Sequence, residues 1–382
     1  MKPKTLLWCC FLLSLALALG ITASSHNPLS PDSISAEEFT QIIKDFSEPG
    51  GYFFSDNFVS NEEEYLKVVD KMKELGASGG AYIGVGPEQN FTYIARIRPR
   101  IAFIMDVRRQ AMIQQLMFKA LFRLSQNRTE FLARLLSRPI KGTGAPKSDA
   151  SIDELMQYFS LTPPDREAFT SNLAKIKKTI REDFKFPLSE SDVYSLDYIF
   201  DSFRADGVYV SFQMDSFRGR GRGGRGFGRF PSLRSILEQQ DPKGKPGNFL
   251  ANDKDYETVR SLQEQNRIIP VVGDFAGPKT LKAIAEYLRK NSYQVSVLYI
   301  SNVEQFLFEN WTFDTYMENV KALPIKSNSL LIRSVIGRYR SSYRSPMMAT
   351  LMQNLSKFLK EYDQGLYSDY WMLANTPSNL VD

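Results

Sequence analysis

Short, unbroken apolar runs alternate along most of this chain with stretches in which apolar residues return every three or four positions. The runs at residues 80–84, 101–105, 268–272, 295–300 and 329–336 are short and carry few charges. That is the signature of strands buried on both faces. Residues 208–214 carry the same signal.

The segments between them have the helical period. In 62–75, Tyr65, Val68, Val69, Met72 and Leu75 share one face, and Gly76 follows as a stop. In 107–137, Met112, Ile113, Leu116, Met117, Ala120, Leu121 and Leu124 form one stripe, and in 278–290 Leu281, Ile284, Ala285 and Leu288 form another. Further helices are expected at Ser35-Ala36-Glu37-Glu38, after Pro87 and near 313–323. Strand and helix in alternation predict an α/β fold, with a doubly wound, mostly parallel sheet in three layers. Residues 138–205, with helical stretches broken by Gly142, Gly144, Pro146, Pro163 and Pro164, read as a helical insertion in a single domain spanning 36–382.

Two segments fall outside that pattern. Lys2 and Lys4 precede an apolar run at 6–21 and the small residues Thr22-Ala23-Ser24-Ser25. Residues 1–23 therefore read as a secretory signal, or as an anchor over 5–23 that associates with a membrane, followed by a tether at 24–35. Either way the body is expected to be exported, in a periplasmic or extracellular setting or tethered to the inner membrane. The run 218–230, from Arg218-Gly219-Arg220-Gly221 onward, is low complexity and is expected to be a mobile surface loop. Its few aromatics argue against a nucleic-acid partner.

Composition then removes whole classes of chemistry. The chain of 382 residues has one histidine and two cysteines, and His26, Cys9 and Cys10 all lie in the first 26 positions. A body without them has no Ser-His-Asp or Cys-His nucleophile system and no ordinary zinc, haem or iron-sulfur ligand set. No disulfide can form there either. Carboxylates, Ser, Tyr, Asn, Lys, Arg and backbone amides remain. The formal net charge is only +5, but it is unevenly spread. Residues 32–64 hold nine carboxylates against Lys44, whereas 96–138 hold ten Lys and Arg against Asp106 and Glu130. The basic stretch reads as a solvated helix face, with anion binding as the alternative.

In a doubly wound sheet, ligands collect at the carboxyl ends of the strands. That rule gathers the turn Gly84-Val85-Gly86-Pro87-Glu88-Gln89-Asn90, then Asp106, the pair Gly273-Asp274, and Ser301-Asn302-Val303-Glu304. Gly84 and Gly86 would let a ligand approach the backbone, and the helix beyond them offers free N–H groups. Asp106 would take ribose hydroxyls and Asp274 an exocyclic amine. The expected partner is a small-molecule ligand, polar and nucleotide-like or anionic. An oxygen-ligand metal site on Glu88, Asp106, Asp274 and Glu304 is a further alternative.

This order of a glycine turn, two strand-end acids and a catalytic-edge loop resembles the class I S-adenosylmethionine-dependent methyltransferase fold. The blocks Gly51-Tyr52-Phe53-Phe54-Ser55-Asp56-Asn57, Phe103-Ile104-Met105-Asp106-Val107-Arg108-Arg109 and Gly273-Asp274-Phe275-Ala276-Gly277 resemble, more narrowly, an uncharacterised bacterial family of that fold. The resemblance implies a Rossmann-like sheet and S-adenosylmethionine as cofactor. Gly84, Gly86, Glu88, Asn90, Asp106 and Asp274 would hold it, and Glu304 and Asn302 would be the catalytic residues. The chain departs from working methyltransferases in two ways. Pro87-Glu88 stands where a further glycine is expected, and Ser301-Asn302-Val303-Glu304 is not the Asn/Asp-Pro-Pro-aromatic loop of amino-group enzymes. An exported enzyme would also be separated from its cytoplasmic methyl donor.

Overall fold

The computed structural model describes residues 33–142, 144–147, 149–212, 230–337 and 348–381. The leader, residues 24–32 of the tether, and all of the Arg/Gly run except Phe230 lie outside the described residues. Among the described residues, seven strands form one mixed sheet: β1 (Ala81–Gly84), β2 (Ile101–Asp106), β3 (Ile268–Val272), β4 (Val295–Tyr299), β5 (Ile325–Ile336), β6 (Met348–Asn354) and β7 (Asn379–Val381). Their order is β3-β2-β1-β4-β5-β6-β7. The first five run parallel, and β6 is antiparallel to both β5 and β7. Every residue of β1 to β4 is buried, as strands covered on both faces require. Pro270 is tolerated in β3 because β3 is an edge strand paired only with β2.

Fifteen α-helices occur among the described residues. The first eight are α1 (Ala36–Phe46), α2 (Val69–Glu74), α3 (Gln89–Ile97), α4 (Arg109–Leu124), α5 (Arg128–Leu135), α6 (Ile152–Leu161), α7 (Arg166–Lys178) and α8 (Glu190–Asp206). The rest are α9 (Leu233–Leu237), α10 (Asp253–Glu264), α11 (Thr280–Lys290), α12 (Val303–Glu309), α13 (Phe313–Lys321), α14 (Leu355–Asp363) and α15 (Tyr370–Ala374). Right-handed crossovers place α3 and α4 on one face of the sheet and α11 to α13 on the other. The packing follows this division: α10 lies on α3 and α4, whereas α11 touches α1 and α13. The strand order reverses between β1 and β4, the switch point at which doubly wound sheets place their ligands.

Three local expectations are corrected. The stripe at 107–137 is two helices, because Asn127 leaves the helical conformation and its side chain accepts the Glu130 N–H at 2.9 Å, capping α5. Residues 208–212 are not a strand: a 3₁₀ turn covers Gly207–Tyr209, and Ser211 makes only an isolated bridge to Ser232. In 62–75 the chain enters through a 3₁₀ turn at Tyr65–Val68 before α2 begins. The insertion at 138–205 is built from α6, α7 and α8, and α8 packs along α4. A bidentate pair, Arg109 to Asp192 at 2.7 and 2.8 Å, ties it to the start of α4.

Candidate functional site at the strand ends

After β1 the chain turns at Gly84-Val85-Gly86. A Cβ at Gly84 would collide with Asn90 Oδ1 and the Tyr82 ring, so this glycine serves internal packing. Asn90 is buried, accepts the Tyr82 hydroxyl at 2.7 Å, and donates to the carbonyls of Val85 and Pro87, both at 2.9 Å. Gln115 donates to the Gly86 carbonyl at 2.9 Å. With the Val85 carbonyl drawn inward, the trans peptide turns the Gly86 N–H outward. Gly86 itself has φ +84°, and among the described residues nothing lies within 4 Å of where its Cβ would be. The turn is thus fastened from behind and open in front.

The ends of β2 and β3 are filled by the chain's own segment 47–60. Both Asp106 oxygens are taken by Arg108, at 3.1 Å from Nε and 3.0 Å from Nη2, and Oδ1 also accepts the Arg108 N–H. Arg108 Nη1 donates to the Ser55 and Asp56 carbonyls, both at 2.8 Å, and the guanidinium lies 5.8 Å from the Phe53 ring centroid. The Gly51 N–H bonds the Val107 carbonyl at 2.8 Å. Farther along, the Glu48 carboxylate accepts N–H groups of Asp274, Lys279 and Thr280 at 3.2, 2.8 and 2.8 Å, occupying the start of α11 as a bound anion would. Asp274 is exposed and bonds the Ala276 N–H in its own turn at 2.9 Å.

Between β1 and β4 the arrangement is different. Glu62, completely buried, accepts the Tyr299 and Ser301 hydroxyls on one oxygen, at 2.5 and 2.6 Å, and the Gln89 amide on the other at 3.1 Å. Tyr299 and Ser301 are two positions apart, and their hydroxyls converge on that one Glu62 oxygen. Burial first, and then the Glu62 charge, hold the Tyr299 phenol well above its usual range, so it stays a donor. Ser60 reaches the same cluster, with its hydroxyl on Gln89 and its N–H on Glu88 Oε1 at 3.2 Å. Glu88 is 4% exposed, and its other oxygen is buried without a partner among the described residues. It faces a cavity of ≈ 10 Å³, about one water, whose other lining residues, among them Val59, Phe118, Phe203 and Phe249, are all apolar. Burial, reinforced by Glu62, pushes its carboxyl up to about 7. Two buried acids therefore stand here with neutral donors only.

The remaining candidates divide between core and rim. Glu304 is fully buried against Arg333, at 2.6 and 3.3 Å, and Arg333 also donates to Gln353, so this acid belongs to an internal ion pair. Asn302 is half-buried beside Ser301, its Oδ1 3.5 Å from the hydroxyl. Half-buried Phe53, Phe54 and Phe306 pack together nearby, with centroids 4.4 to 6.1 Å apart. The basic stretch is a solvated face only in part, through exposed Arg96, Arg98, Arg100, Arg109 and Arg123. Arg108, Lys119, Arg128 and Arg138 are buried, Arg128 on Asp253 and three carbonyls, and Lys119 between the Phe39 and Phe184 rings.

Of the six residues expected to hold a cofactor, only Gly86 at the switch point and the distant Asp274 face open space. Gly84 and Asn90 face each other, Glu88 lies behind the turn, Asp106 is saturated by Arg108, and Asp274 stands apart in an exposed turn. This donor set does not fit S-adenosylmethionine, because no acid is left for its ribose. Nor do Glu88, Asp106, Asp274 and Glu304 gather as a metal site: among the described residues no three His, Cys, Asp or Glu do. Glu62 escaped the sequence reading, since nothing local separates it from exposed Glu63 and half-buried Glu64. Residues 57–186 and 164–376 match a family model described as a domain of unknown function, DUF7790. No curated protein matches the chain.

Proposed function

This chain belongs to the DUF7790 family, and on that premise we propose that it binds a small polar ligand, rich in hydroxyl or amine donors as a nucleoside is, in the crevice between the ends of β1 and β4. The observation that carries this reading is Gly86: a left-handed turn at the topological switch point, open in front and fastened from behind by Asn90 and Gln115. Around it, Glu62 gives the crevice an acidic back wall, which favours donors over anions, and Asn302 offers a carboxamide at the rim. The half-buried Phe53, Phe54 and Phe306 supply the apolar surface on which a flat ring can rest.

Methyl transfer is the less supported reading, because the acid that would hold the donor's ribose is committed to Arg108. The leader at 1–23 points the same way. An exported or membrane-tethered body meets ligands outside the cytoplasm and is cut off from S-adenosylmethionine. A thermal-shift panel tests the proposal, using adenosine, other nucleosides, S-adenosylmethionine, S-adenosylhomocysteine and sugar phosphates. Nucleosides are expected to raise the melting temperature of the wild-type protein and not of Gly86→Val. A flat response to every compound would sink the reading.

A further inference from the structure

Eight non-glycine residues among those described have positive φ. Six of them, Arg98, Ser137, Lys185, Asn266, Ser292 and Trp311, lie one or two positions past a helix, where a left-handed residue is the normal way to end it. Ser301 is different. It has φ +49° in the two-residue gap between the end of β4 and the Asn302 cap of α12, so the strain sits on a sharp strand-to-helix turn. Backbone bonds fix that turn to β5: the Ile300 N–H donates to the Ile332 carbonyl at 3.0 Å, and the Ser301 carbonyl accepts the Ser334 N–H at 2.7 Å. The hydroxyl it presents is 2.6 Å from a Glu62 oxygen, and Glu62 is in turn oriented by Tyr299 and Gln89.

A serine on a strained strand-to-helix elbow, in hydrogen-bond contact with a base that a third group orients, is the arrangement of an activated nucleophile. Here the base is a carboxylate, one of the kinds left to a body without histidine. We propose that Ser301 and Glu62 form a nucleophile–base dyad that cleaves a small carboxylic ester. The inference rests on the β1/β4 crevice admitting a small molecule. In the first step Glu62 takes the Ser301 hydroxyl proton while Oγ bonds the acyl carbon and the carbonyl electron pair moves onto its oxygen. When the carbonyl re-forms, the alcohol leaves with the proton from Glu62, and the acyl group stays on Ser301. Water then gives a proton to Glu62 and attacks the acyl carbon. Ser301 Oγ departs and recovers that proton, so ester and water become acid and alcohol.

The test is phosphonylation by a fluorophosphonate, read by intact mass and peptide mapping, alongside hydrolysis of nitrophenyl acetate. The full chain is expected to gain one adduct, located on Ser301. Ser301→Gly, which suits the positive φ, should lose the adduct. Glu62→Gln, which preserves the shape of the acid, should be labelled about 100-fold more slowly, the scale of one general base. An unlabelled Ser301 in the wild-type protein, or a Glu62→Gln variant that labels at the wild-type rate, would overturn the dyad. The adduct does not depend on nucleoside affinity. A labelled Ser301 with a flat thermal-shift panel would therefore remove the nucleoside reading and keep the dyad.

Discussion

The two halves of the strand-end surface treat their acids in opposite ways. At β2 and β3, Asp106 meets Arg108 and Glu48 meets the N–H groups opening α11, so each negative charge is answered from within the chain. At β1 and β4, Glu62 and Glu88 are more deeply buried but meet only hydroxyls, an amide and one backbone N–H from elsewhere in the chain. A buried acid without a cation costs free energy, and folds retain such groups chiefly where they do chemistry or meet a ligand. The comparison therefore moves the site from the acids that resemble a cofactor clamp to a pair hidden behind the glycine turn.

Four substitutions bear on that contrast. Arg108→Met should have the largest effect, about 3–5 kcal/mol lost in urea denaturation, because it strands Asp106 as an unpaired buried charge. Glu88→Gln should change the pH dependence of stability. Burial pushes the folded carboxyl up to about 7, above the ordinary 4.5. The native state therefore binds the extra proton between those values, and its contribution is present below pH 4.5 and lost as pH rises through 7. Denaturation at pH 5 and pH 8 should show the wild-type protein losing about 3 kcal/mol more than Glu88→Gln across that window. Gly86→Ala should cost about 1–2 kcal/mol through its left-handed backbone and should abolish ligand binding. Asp274→Ala should stay within about 0.5 kcal/mol of wild type by the same measurement.

The sheet was readable because β1 to β4 are unbroken apolar runs, and burial on both faces leaves that pattern in any such strand. β6 was not read: Met348-Ala349-Thr350-Leu351-Met352 mixes good helix formers with few β-branched residues and becomes a strand by pairing with β5. The glycine turn and the strand-end acids were found by position, but position does not tell which acid is already paired. Arg108 lies two residues from Asp106 and is its partner, whereas Glu304 on α12 finds Arg333 on β5, 29 positions away. Glu62 reaches Ser301 only because segment 47–60 folds back over the strand ends.

Calorimetric titration of the ligand that gives the largest thermal shift, against the wild-type protein, Gly86→Ala and Asp274→Ala, tests the relocation of the site most directly. The account predicts that the wild-type protein and Asp274→Ala bind alike and that Gly86→Ala does not bind. Binding retained by Gly86→Ala and lost by Asp274→Ala would contradict it.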